Sequence, residues 1–180
     1  GLIAEGISHD VRLTTPDAIS IQKLFAKLVK FNFSHVVMEV SSHSLDQHRV
    51  SDIDFDIAVF TNLTPEHLDY HGTMEAYYQS KLRLFKTLNF DSTSIINKSD
   101  SYGVNISSFS AAPSVFFSKD EPDSIHFENL RLTINGIQGH VIADNYKYEI
   151  KSNLIGNFNS ENILGAVTTA HVLGIKKEII

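Results

Sequence analysis

Residues 55–88 read FDIAVFTNLTPEHLDYHGTMEAYYQSKLRLFKTL. Phe55–Thr61 is an apolar run interrupted only by Asp56, the pattern of a strand buried on both faces. A loop dense in polar groups follows, from Thr61 to His71. Thr73–Leu88 then repeats apolar side chains at helical spacing. Strand, loop and amphipathic helix in this order make the repeating unit of an α/β fold.

The flanking sequence continues the alternation. Upstream, Thr14-Thr15-Pro16-Asp17 reads as a helix start, with Thr15 as the cap and Pro16 at the first helical position. Ile21, Leu24, Phe25, Leu28 and Val29 recur behind it at helical spacing. His35–Val40 reads as a buried strand carrying one acid, Glu39. Downstream, Thr93–Ile96 and Ser114–Phe117 are short strands. Phe127–Lys151 reads as an antiparallel meander with turns at Asn135-Gly136 and Asp144-Asn145. A last helix is expected from Asn159 to Leu173, stopped by Gly174. The fold class is therefore α/β, a mostly parallel sheet flanked by helices, with a small antiparallel hairpin region.

Composition narrows the function. The chain has 180 residues, 42% hydrophobic and 20% charged, which is ordinary globular usage and long enough for a real core. No cysteine is present, so disulfide scaffolds and Cys-based zinc or redox sites are excluded. Absence of cysteine fits a reducing cytoplasm. The net charge of −6, from 15 basic and 21 acidic residues, argues against general nucleic-acid binding. No apolar run reaches the length of a membrane span. The start, Gly1-Leu2-Ile3-Ala4, has no basic region and reads as the interior of a longer chain. Oligomeric state leaves no mark on the sequence, with a monomer as the default.

Three positions bear on chemistry. Glu39 interrupts the apolar run Val36–Val40, which Ser41-Ser42-His43 follow. It is either a solvated acid at a strand end or a carboxylate placed beyond the sheet to hold a cation. His67 and His71 are four apart, but no H-E-x-x-H pattern supports a zinc pair. At 100° per residue, Met74, Tyr77, Tyr78, Lys81, Phe85 and Leu88 share one helix face, while Arg83 and Lys86 point away. Lys81 in mid-stripe is either a snorkelling stem or a desolvated amine able to add carbon dioxide and become a carbamate. No G-x-x-x-x-G-K-S/T phosphate loop occurs in the sequence.

MEVSSHSLDQHRV (38–50), FTNLTPEHLDYHGTMEAYYQSKLRLF (60–85) and NLIGNFNSENILGA (153–166) together resemble the central ATPase domain of the Mur ligases. The SSHSLDQHRV and LTTPD segments are most similar to members adding the third peptide residue, diaminopimelate or lysine, to UDP-MurNAc-L-Ala-D-Glu. The resemblance covers roughly residues 13–85 and 153–175, leaves the hairpin region without a motif, and implies a P-loop NTPase-like fold. It implies an ATP-dependent amide ligase of peptidoglycan synthesis working in the cytoplasm. Residues 1–180 would be its N-terminally truncated central domain, inactive alone, with the phosphate loop, the UDP-binding domain and the amino-acid-binding domain elsewhere.

By position, the resemblance makes Glu39 and His67 ligands of Mg2+, and Lys81 a carbamylated lysine that also holds magnesium. It assigns Thr14, Thr15, Ser41, Gln47 and Arg49 to the UDP-N-acetylmuramoyl-dipeptide. It assigns Asn159 and Asn162 to ATP, with helix capping as the alternative for Asn159. Leu13 stands where family members often carry asparagine. The competing readings are a sister enzyme, such as another Mur ligase or a folylpolyglutamate synthetase, and a non-catalytic binding fragment.

Overall fold

The computed structural model describes residues 13–119 and 121–180; Gly1–Ala4 lie outside them. In chain order the elements are α1 (Ala18–Lys30), α2 (Ser42–Asp46), β1 (Ile57–Phe60), α3 (Leu68–His71), α4 (Met74–Lys86), β2 (Thr93–Asn97), α5 (Ser101–Ser107), β3 (Ser114–Phe117), β4 (His126–Thr133), β5 (Gly136–Ala143), β6 (Tyr146–Ser152) and α6 (Asn157–Val172). They fall into two compact units. One holds the described residues up to Asp54 together with His67–Leu84; the other holds Phe55–Glu66 and Phe85–Ile180.

The second unit contains both sheets. β1, β2 and β3 are parallel and adjacent in chain order, with Val59 opposite Ile95 and Ile95 opposite Val115. β2 buries Ser94 to Asn97 completely, as a central parallel strand must. β4, β5 and β6 form the antiparallel meander. Its strands have 8, 8 and 7 residues against 4, 5 and 4 in the parallel sheet, so the hairpin region is the larger sheet. Its first turn sits one residue earlier than expected: Thr133 pairs with Gly136, leaving Ile134-Asn135 at the tip. Gly136 then opens β5 at φ +133°, against the Ser152 carbonyl, where a side chain would collide.

One apolar core joins the two sheets to α6. Phe127, Ile137, Val141, Tyr148 and Ile150 from the meander meet Leu164 and Val167 of α6 and Ile95 and Phe117 of the parallel sheet. Each such side chain removed from water contributes about 1.5–3 kcal/mol. α6 begins at Asn157, two residues before the expected start, and Gly174 at φ +68° ends it as expected.

The first unit is helical, and two expectations change there. His35–Val40 is not a strand: residues 33–40 join no ladder among the described residues, and Val37 is 91% exposed. An apolar run has the composition of a buried strand, but a strand exists only where a partner takes its backbone groups. The cap of α1 is Asp17, whose carboxylate accepts the Ser20 N–H at 3.0 Å, not Thr15. α1 buries Ile21, Leu24 and Leu28 of the five apolar positions expected on its stripe, while Phe25 is half-buried and Val29 is 71% exposed. In α4, Tyr77, Tyr78, Phe85 and Leu82 are buried, while Arg83 and Lys86 are exposed.

Candidate functional site

Thr15 is the hub of the first unit. Released from capping and 1% exposed, it donates its hydroxyl to the Glu39 carbonyl at 2.8 Å. It also accepts the Ser41 N–H at 3.0 Å. Arg49 Nη1 donates to the Thr15 carbonyl at 2.8 Å, and Arg49 Nε donates to Gln47 Oε1 at 2.9 Å. Thr15, Ser41, Gln47 and Arg49 therefore form one connected network, although they lie up to 34 residues apart in the chain. Thr14 stays outside it, exposed. The guanidinium is spent partly on protein acceptors, which fixes the plane its remaining donors present.

The loop after Glu39 is tied in turn to α4. Ser41 caps α2 by accepting the Ser44 N–H at 3.2 Å. The Ser42 carbonyl accepts the hydroxyl of buried Ser80 at 2.7 Å. Ser80 is the chain neighbour of Lys81, so this bond holds the α4 turn carrying Lys81 against the Ser42 backbone. The Lys81 ammonium lies 5.3 Å from the centre of the Tyr77 ring. His67 packs edge-on against the same ring at 6.0 Å. Lys81 is half-buried, with its ammonium over the face of the Tyr77 ring. The structure thus brings His67 and Lys81 to one Tyr77 ring, while Glu39 is fixed through its backbone carbonyl by Thr15.

Histidines fill the space between these elements. His43 lies 5.0 Å from His67 and 5.6 Å from His71, ring centre to ring centre. His71 stacks on Tyr77 at 15° and shares a 2.9 Å hydrogen bond with the Ser42 hydroxyl. Burial holds its imidazole below the usual range; His43 and His67 add to this, and Asp46 and Asp69 oppose it. His67 itself sits at φ 56°, ψ 24°, a left-handed conformation that a non-glycine residue adopts at some cost. Its carbonyl accepts the N–H groups of Tyr70 and His71, so the α3 turn enforces that backbone.

The donor set bears on a divalent cation. No group of three or more His, Asp or Glu side chains converges on one point among the described residues. A site built on Glu39 and His67 needs its third ligand from another residue type. A carbamate on Lys81 would supply oxygen donors there, whereas the ammonium would repel the ion.

Asn159 and Asn162 belong to the second unit. Asn159 is inside α6, not at its cap: the cap position is Gly156. The Asn159 amide donates back to the Ile155 carbonyl at 2.8 Å, and Asn162 donates to Asn159 Oδ1 at 3.2 Å. Sequence reasoning missed His43, Tyr77 and Ser80 as site residues. The serine–lysine adjacency in mid-stripe was the one signal that could have marked Ser80.

Residues 2–170 match the Mur ligase middle domain. Among curated relatives, the UDP-N-acetylmuramoyl-L-alanyl-D-glutamate--2,6-diaminopimelate ligase of Fusobacterium nucleatum is 42% identical over 170 residues, 92% of this chain and 34% of that protein. The enzyme of the same name from Geobacter metallireducens is 39% identical over 173 residues, 93% of this chain and 34% of that protein. A solved structure of a ligase of this name superposes with a TM-score of 0.81 at 28% identity, covering 91% of this chain and 34% of that one. The chain spans about a third of the length of the relatives it matches.

Proposed function

The chain belongs to the Mur ligase middle-domain family, and from that premise we propose that the full-length protein carrying it is an ATP-dependent amide ligase of peptidoglycan precursor synthesis. It joins meso-diaminopimelate to UDP-N-acetylmuramoyl-L-alanyl-D-glutamate. The observation that carries this reading is the scaffold of the first unit, on which Thr15 binds the Glu39 carbonyl while Lys81 and His67 meet the same Tyr77 ring. The diaminopimelate choice is supported by the names of relatives 39–42% identical to the chain.

In this reading the terminal phosphoryl group of ATP passes to the D-glutamate carboxylate and ADP leaves. The incoming amine attacks the acyl phosphate, and inorganic phosphate departs as the amide forms. Glu39, His67 and a Lys81 carbamate would hold Mg2+. Bound there, the ion would neutralise charge where two anionic groups are brought together. The carbamate forms when the neutral Lys81 amine adds to carbon dioxide and gives up a proton. Arg49, oriented by Thr15 and Gln47, offers its free donors to an acidic group of the substrate. Asn159 and Asn162 hold the nucleotide from α6. A nucleotide-consuming reaction of this kind supports a cytoplasmic location, and no helix among the described residues is long and apolar enough to cross a membrane.

The test is a ligase assay on the full-length protein with ATP, magnesium and UDP-MurNAc-L-Ala-D-Glu, offering meso-diaminopimelate and L-lysine separately. Turnover with diaminopimelate is expected. Turnover with lysine alone would reverse the amine assignment, and none with either would move the protein to a sister ligase.

A further inference from the structure

We infer that Glu161 and Lys119 position the nucleotide-holding turn of α6. The inference rests on the reading of Asn159 and Asn162 as nucleotide contacts, and extends it to two residues to which the resemblance gives no role. The anchor is Asn97, the last residue of β2 and only 1% exposed. Its amide donates to the Thr61 carbonyl just beyond β1 at 2.7 Å, and to Glu161 Oε2 at 3.2 Å. Its side-chain oxygen Oδ1 accepts the Ser99 N–H at 3.0 Å. The other oxygen of Glu161 meets the Lys119 ammonium at 3.2 Å, two residues past the end of β3.

One carboxylate of α6 is thus gripped from the carboxyl ends of two parallel strands, while the Asn97 amide also reaches just beyond a third. That edge is where open α/β sheets place their ligands. Glu161 lies between Asn159 and Asn162 on the first turns of the helix. Fixing its carboxylate fixes the rotation of α6 about its axis, and with it the direction in which exposed Asn162 points. Both partners are only about a fifth exposed, at 23% and 22%, so the pair is less screened than a surface ion pair. Asn159 supports Asn162 from the preceding turn but does not tether the helix to the sheet. Beside the apolar core that seats α6 on the sheet, the Asn97–Glu161–Lys119 chain supplies a polar tether at its first turns. Neither Glu161 nor Lys119 is assigned to touch nucleotide; both act through Asn162.

The experiment measures ADP affinity by calorimetry, and KM for ATP and for UDP-MurNAc-L-Ala-D-Glu, in the full-length protein. Glu161→Gln keeps the acceptor for Asn97 and removes the ion pair. Lys119→Met removes the pair from the other side, and Lys119→Arg restores it. The expected result is a loss of ADP affinity of about fivefold in Glu161→Gln and Lys119→Met. KM for ATP rises in parallel, KM for the UDP substrate stays put, and Lys119→Arg behaves as the parent. ADP affinity unchanged in both pair variants, while Asn162→Ala weakens it, would overturn the positioning role and leave the nucleotide reading intact. ADP affinity unchanged in Asn162→Ala as well would overturn both.

Discussion

Thr15 shows how much one buried hydroxyl can organise. It satisfies the Glu39 carbonyl and the Ser41 N–H together, and both belong to the loop that presents the candidate metal and substrate residues. Thr15→Val keeps the shape and leaves both backbone groups without their partner. We expect a loss of about 1–3 kcal/mol in stability by denaturant unfolding, together with a higher KM for the UDP-muramyl substrate. A variant as stable as the parent would show that solvent takes over those groups. His71 predicts a pH effect. Its imidazole titrates below the unfolded value of 6.5, so the folded state prefers the neutral ring. That stabilisation is complete above pH 6.5 and is lost as the pH falls through the lower folded value. The parent's thermal midpoint should therefore drop more steeply on acidification from neutrality than that of His71→Gln. Parallel curves would remove His71 as the cause.

At the scale of elements, periodicity carried α4 and short apolar runs carried the parallel strands, because burial on one or both faces is written in residue type. β3 falls on Ser114–Phe117 as read. Beyond small shifts in the first hairpin turn and the start of α6, two failures share a cause: they turn on partners distant in sequence. The run at 35–40 has strand composition but no ladder among the described residues. Thr15 has cap chemistry, but the Glu39 and Ser41 backbone claims it, and Asp17 caps instead. The same holds in the site. The lysine in the stripe of α4 was legible from spacing alone. The bond from Ser80 to Ser42 was not, since it joins residues 38 apart. Close packing of α5 on β2 gives a further prediction. A Cβ on Gly103 would collide with the Asn97 carbonyl and press on Ile96 and Phe60. Gly103→Ala should lower the thermal midpoint by an amount equivalent to about 1–3 kcal/mol. It should also weaken ADP binding, because Asn97 anchors α6. An unchanged midpoint would mean that α5 shifts freely.

For the molecule as a whole, the chain divides its tasks. The second unit carries the sheets, the shared core and the two asparagines assigned to nucleotide. The first carries the network around Thr15 and the set Glu39, His67 and Lys81. The relatives are about three times as long, so the reaction belongs to the full-length protein. The proposed chemistry turns on Lys81, whose two readings differ in one respect. A snorkelling lysine supplies a stem and a positive charge, which arginine also supplies. A carbamate needs an amine that can lose its proton and add carbon dioxide, which arginine cannot do. The most direct measurement is turnover of Lys81→Arg and Lys81→Ala in the full-length ligase, with magnesium, ATP and added bicarbonate. A carbamate role predicts that both variants fall by about a thousandfold or more and that bicarbonate restores neither. Lys81→Arg turning over near the parental rate would contradict it.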